Sequence, residues 1–196
     1  MKIGLIGEYP TDIKAVAVLL RKEFGDDIEL VPLLYDIHGD NLNPEQNNEK
    51  GKLKSLLRKE FEWEKPNLVI FIRDLDATPI CKDYNEKIYR KKRYFANYRS
   101  IVGKQNAIFM LNIYELETLI FTQIEIFNRT YLADLQAIEN IYLIKEPKEI
   151  LKTAGNKKYN QSDNPKFFEY LDINIVKLNS PRFRLFIEQV SNKINY

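Results

Sequence analysis

The chain has 196 residues, 44% of them hydrophobic and 30% charged, with a formal net charge of +2; this is the composition of a soluble globular protein with room for one domain and an extension. The lone Cys81 excludes an internal disulfide, and with only His38 beside it a zinc site of soft ligands is excluded too, which favours a reducing cytoplasm. No apolar run approaches the roughly 18 residues of a membrane span, and Glu8 interrupts any leader-like apolar start. The small net charge names no partner, so any basic surface must be local.

Lys2 to Ile6 reads as a first strand and Gly7-Glu8-Tyr9-Pro10 as a turn. Thr11 is the expected helix cap, with Asp12 favourable in the first turn, and Ile13, Val16, Ala17, Leu20 and Phe24 follow at helical spacing. Strand, tight turn and amphipathic helix open a βαβ unit. The turn carries neither G-x-G-x-x-G nor a P-loop. Glu8 stands where strand hands over to helix, either as a capping residue or as an active-site acid. Ile28 to Leu34 reads as a second strand, followed by a polar loop over Asp36 to Asn48 in which His38 is expected to be solvated. Glu49 to Phe61 is an expected helix, with Leu53, Leu56, Leu57 and Phe61 inward.

The chain is organised around Leu68 to Thr78, LVIFIRDLDAT. Its apolar run, Leu68 to Ile72, fits a parallel strand covered on both faces. The run delivers Asp74 and Asp76 to the carboxyl end of the strand, where open α/β sheets bind ligands. In extended chain the two carboxylates point the same way, and their repulsion is relieved by a hard divalent ion such as Mg²⁺. The alternative is a polar loop in which one Asp caps the next helix. That helix, expected over Tyr84 to Ile101, interleaves Lys87, Arg90, Lys91, Lys92, Arg93 and Arg99 with Tyr84, Tyr89, Tyr94, Phe95 and Tyr98. Basic residues meet phosphates and aromatic faces stack on bases, although a solvated helix with a half-buried aromatic stripe reads the same way.

Asn106 to Leu111 is a fourth strand, and Ile113 to Phe127 is expected to continue as a helix with Ile113, Leu116 and Ile120 inward. Glu117 shares that face and would be partly buried, which is costly unless it is paired or bound to metal. Glu115 projects elsewhere. Beyond Asn128 the pattern weakens to short helices from Pro147, across Phe167 to Leu171 and from Ser180-Pro181, with Phe183, Phe186, Ile187 and Val190 on the last buried face. The expected architecture is a mostly parallel four-stranded α/β sheet over residues 1–127, flanked by helices, with a helical extension over 128–196.

Together these pieces resemble the TOPRIM domain, whose pattern is a Glu after the first strand and a D-x-D after the third; here these are Glu8 and Asp74/Asp76. The E-x-E at Glu115/Glu117, the Pro-Lys-Glu at 147–149 and the later Ser-Pro-Arg-Phe look similar to the compact TOPRIM-like proteins of bacterial defence loci, alongside the RloB-like and OLD-nuclease groups. Tyr9 departs from the glycine usual after the first-strand Glu. Thr118 and Leu119 stand where a bulky aromatic often follows the E-x-E. The resemblance implies a Rossmann-like fold and Mg²⁺- or Mn²⁺-dependent phosphoryl transfer on DNA or RNA. Asp74 and Asp76 would hold the metal, Glu117 and Glu115 would complete its shell, and Glu8 would serve as acid/base or further ligand. Lys87 to Arg99 would position the nucleic-acid backbone. It also implies antiviral defence in the cytoplasm, either as a nuclease or as a regulatory subunit silent without an ATPase partner; a homo-oligomer is compatible with either. A more distant reading takes Asp74-Leu75-Asp76-Ala77-Thr78 as a haloacid-dehalogenase motif, with Asp74 as nucleophile, but such a motif normally opens its domain.

Overall fold

A computed structural model describes residues 1–43 and 50–194, and the side chain of Lys50 is not among the described groups. Part of the Asp36 to Asn48 loop, and the expected helix start at Glu49, lie outside these residues. The strands are β1 (Lys2–Ile6), β2 (Glu29–Pro32), β3 (Leu68–Asp74) and β4 (Ala107–Asn112). They form one four-stranded, all-parallel sheet in the order β2-β1-β3-β4. From β1 the chain moves first to one side and then to the other, so the crevice at the carboxyl ends of β1 and β3 is the topological switch point where open α/β sheets take ligands.

Helices cover both faces. Leu68, Ile70 and Ile72 of β3 join one core with Ile3 and Leu5 of β1, while Val69 and Phe71 join the other with Ile6. This is the period-two alternation of a strand buried on both sides. The first core lies under α1 (Pro10–Phe24) and takes in α4 (Ile124–Tyr131), α5 (Pro147–Ala154), α6 (Asn164–Phe168), α7 (Ile173–Asn179) and α8 (Pro181–Ile194). The second lies under α2 (Lys50–Glu64) and α3 (Tyr84–Val102). No helix among the described residues is long and apolar enough to cross a membrane.

Three local expectations are corrected. The cap of α1 is Tyr9, not Thr11: Pro10 occupies the first turn, and the Asp12 carboxylate accepts the Tyr9 N–H at 3.0 Å. The second strand ends at Pro32 because Leu34 turns to a φ of 52°. The continuous helix expected over Ile113 to Phe127 is broken: Tyr114 has a φ of 60° and Glu115 is extended. A 3₁₀ turn over Leu116–Gln123 follows before α4 begins. All eight residues of that turn are buried, so no polar face exists for a helical period to mark.

Ile70 is fully buried in the first core. Ile70→Ala should lower unfolding free energy by about 2–5 kcal/mol. Trp63→Ala, at a position 85% exposed, should change it by less than about 0.5 kcal/mol. Urea denaturation checks both, and equal effects would contradict the buried β3.

Candidate functional site

Four carboxylates converge electrostatically at the switch point. Asp74 ends β3 and accepts the Asn112 amide of β4 at 2.9 Å. Its pKa is pushed well above the usual carboxylate value, first by burial and then by the charges of Asp12, Glu8 and Glu117. Asp12 is 3% exposed, and its pKa is raised to about 7 by burial and then by Glu117. Glu117 is 1% exposed; burial raises its pKa, and a hydrogen bond from Asn164 opposes the rise.

Segments after residue 128 hold Glu117 and approach Asp12. Asn164 Nδ2 donates to Glu117 Oε1 at 2.9 Å, and the Tyr159 hydroxyl donates to Asn164 Oδ1 at 2.6 Å. Gln161 Nε2 reaches Asp12 Oδ1 at 3.4 Å. The remaining E-x-E acid, Glu115, accepts the Lys148 N–H at 3.1 Å, with Lys148 Nζ 3.5 Å from its other oxygen.

A second half of the site is cationic. Glu8 Oε1 lies 3.0 Å from Lys91 Nζ and 3.7 Å from Arg73 Nε. Lys91 also lies 3.6 Å from Asp76. Asp76 does not share the orientation expected from extended chain. It follows the end of β3 with a φ of 55° and has an exposed side chain, while its N–H is taken by the Tyr114 carbonyl. The D-x-D is therefore split, Asp74 facing the buried acids and Asp76 the lysines.

The basic helix divides as well. Lys87 donates to the Asp76 carbonyl at 2.7 Å and pairs with Asp83, and Arg90 pairs with Glu86. With Lys91 they line a pocket of about 160 Å³, bounded also by Glu8, Arg73, Asp76, Asn43 and Tyr94. Lys92 and Arg93 are exposed, and Arg99 sits over the Phe95 ring. Tyr94, Phe95 and Tyr98 pack inward: Phe95 stacks on Phe109, and Tyr98 stacks on Phe71. Of the aromatics named on this helix, Tyr89 is the one left open, at 67% exposure. His38 stacks on Tyr9 at the rim.

No family model, curated protein or solved structure matches this chain. The chemistry of the site follows from its own donor set. Carboxylate oxygens at a strand end suit a hard divalent cation. As they stand, no three His, Cys, Asp or Glu side chains among the described residues gather at one point to hold an ion. An ion here would have to draw the acids together, and relief of their mutual repulsion is the driving force for doing so.

Asp12, Arg73, Tyr159, Gln161 and Asn164 are site residues that the sequence reading did not single out. Asp12 left a signal: with Val16 and Leu19 it lies on one buried stripe of α1, and an acid on an apolar stripe is expensive unless used. Asn164 left none, because its partner Glu117 is remote in sequence.

The raised pKa values fix the sign of a pH effect. These acids bind protons more tightly folded than unfolded, so their contribution to stability is complete below the ordinary carboxylate pKa and is lost as pH rises through about 7 for Asp12. In chelator, the protein should melt at higher temperature at pH 5 than at pH 8. Asp12→Asn should flatten that slope and raise the pH 8 midpoint by a few degrees, at about 2–4 °C per kcal/mol for a chain of this size. A melting temperature in Asp12→Asn that keeps the wild-type slope would contradict the cluster.

Proposed function

We propose that this chain is a TOPRIM-like, metal-dependent phosphodiesterase acting on nucleic acid, of the kind that serves bacterial defence. The observation that carries the reading is the set of buried Asp12 and Glu117 and half-buried Asp74, with Glu8 beside it, at the switch point of a parallel sheet, each of the first three with its pKa raised by burial and also by neighbouring acids. Enclosed oxygen donors that repel one another are the natural ligands of Mg²⁺ or Mn²⁺. When bound, such an ion stabilises charge on a phosphate oxygen and lowers the pKa of water. Asp74, Asp12 and Glu117 would hold it. Glu8, 18% exposed in the pocket lining, would accept a proton. Lys87, Arg90 and Lys91 supply positive charge beside the acids, where a phosphate backbone would pass. Glu115, committed to Lys148, would orient the loop rather than ligate. The phosphatase alternative needs Asp74 as an open nucleophile, and the hydrogen bond that Asp74 accepts from the Asn112 amide weighs against that role.

One observation favours a second reading, a subunit silent without an ATPase partner. In the isolated chain Glu8 is tied to Lys91 and Arg73, and the acids are not gathered. A partner that shifts α3 would free Glu8 from Lys91.

Incubation with plasmid, single-stranded DNA and tRNA in Mg²⁺ or Mn²⁺ separates these. Cleavage should fall at least about 100-fold in Asp74→Asn and in Asp12→Asn. Cleavage unchanged in both would remove these acids from the chemistry. Metal binding by calorimetry without cleavage of any substrate would support the silent subunit.

A further inference from the structure

Arg73 is the unexplained group of the site. It is 7% exposed, and burial pushes its pKa down, against the pull of Glu8. A guanidinium carries several N–H donors in a rigid fork and is rarely buried without partners. Here Nη1 donates to the Ile72 carbonyl at 3.2 Å, and Nε lies 3.7 Å from Glu8, beyond hydrogen-bond length. Among the described residues Nη2 has no hydrogen-bond partner, and because no buried side-chain nitrogen or oxygen there lacks one, Nη2 is open to solvent rather than sealed. The side chain borders the same pocket as Lys87, Arg90 and Lys91, so four cations line it against the three acids Glu8, Asp40 and Asp76. Two of those cations have acidic partners outside the pocket lining, Asp83 and Glu86. The Asn43 amide donates to Tyr94 at 2.8 Å, which pins the far wall to α3.

We propose that this pocket is a phosphate subsite, in which Arg73 and Lys91 bind one phosphate group of the nucleic acid adjacent to the bond held over the carboxylates. The fork of Arg73 is suited to paired phosphate oxygens, and Lys91 acts as a mobile point charge. Lys91 now bridges Glu8 and Asp76. An incoming phosphate competes for it and leaves Glu8 with fewer charge partners, so substrate binding would itself free the acid that the chemistry needs. This inference rests on the proposed nuclease reading for the identity of its ligand. It does not rest on that reading for the existence of an anion site. The same chemistry would serve a free phosphate monoester.

The test is made in chelator, so that it is independent of catalysis. Inorganic phosphate and an unphosphorylated single-stranded DNA 12-mer, which offers internal phosphates alone, are titrated calorimetrically into the full chain. Wild type should bind the 12-mer, and Lys91→Gln should weaken binding by about tenfold and lower the salt slope by about one. Lys91→Arg should recover most of the affinity. Lys104→Gln, an exposed change of equal charge outside the pocket, should alter it less than about twofold. Melting curves establish that each variant folds; Arg73→Gln is informative only if it does, and is then expected to match Lys91→Gln. Binding of inorganic phosphate that depends on Lys91, without binding of the 12-mer, would keep the anion site and reassign its ligand to a phosphate monoester. Equal behaviour of Lys91→Gln and Lys104→Gln toward both probes would overturn the subsite. Loss of metal-dependent cleavage in Asp74→Asn with binding intact bears on the nuclease reading alone.

Discussion

Repulsion among the carboxylates at the carboxyl end of the sheet is the constraint on which this site depends. Asp12 and Glu117 are withdrawn from water and Asp74 is half-buried, and burial favours the neutral form of each. No ion pair among the described residues holds any of the three, and removing one would leave its hydrogen-bond partner, the Tyr9 N–H or the Asn112 or Asn164 amide, unpaired. What restrains the acids is instead a ring of amides. Asn112 holds Asp74, Asn164 holds Glu117, and Gln161 approaches Asp12. Amide donors fix the positions of the oxygens without supplying a compensating charge, so the mutual repulsion persists. Lysines in those places would have ended it.

That division of labour explains why the chain needs the helices after residue 128. A four-stranded parallel sheet with α1, α2 and α3 already covers much of its own apolar surface. The later segments add to the first core through Tyr159, Phe167, Phe168 and Phe183, and they also carry polar side chains to the sheet end. Tyr159, held at 1% exposure, spends its hydroxyl on Asn164 and not on water. The aromatic packing of Tyr159 on Phe127 and Tyr131 therefore fixes an amide that fixes an acid. Packing energy and site geometry are linked through one residue.

The sheet was legible because its signals are local. The apolar run Leu68 to Ile72, the acid at its end and the amphipathic α1 each follow from a few neighbouring residues. Four parallel strands with helices on both faces follow from their alternation. The site was half legible for the same reason. Glu8, Asp74 and Asp76 mark strand ends, but the alternation rule gave Asp76 the orientation of Asp74 and failed where the backbone turned left-handed. Residues 113 to 123 misled more deeply. With every residue of the 3₁₀ turn buried, the apolar pattern could not tell it from a helix, and only the tertiary contact of Glu115 with Lys148 shows why the segment starts where it does. Asn164 and Gln161 lie beyond any local rule, for their partners are 47 and 149 residues away.

The split D-x-D gives the two aspartates separate environments within a three-residue span. Asp74 faces acids and amides; Asp76 faces lysines in water. Between them Leu75 is fully buried with Ala77 and Ile113, and backbone bonds tie Leu75 to Asn112 and Asp76 to Tyr114. The loop after β3 is thus zipped to the segment that leads into Glu115 and Glu117. A displacement of α3 that pulled on Asp76 through Lys87 or Lys91 would be carried along those bonds toward Glu117. The acidic and the cationic halves of the site share one backbone clamp.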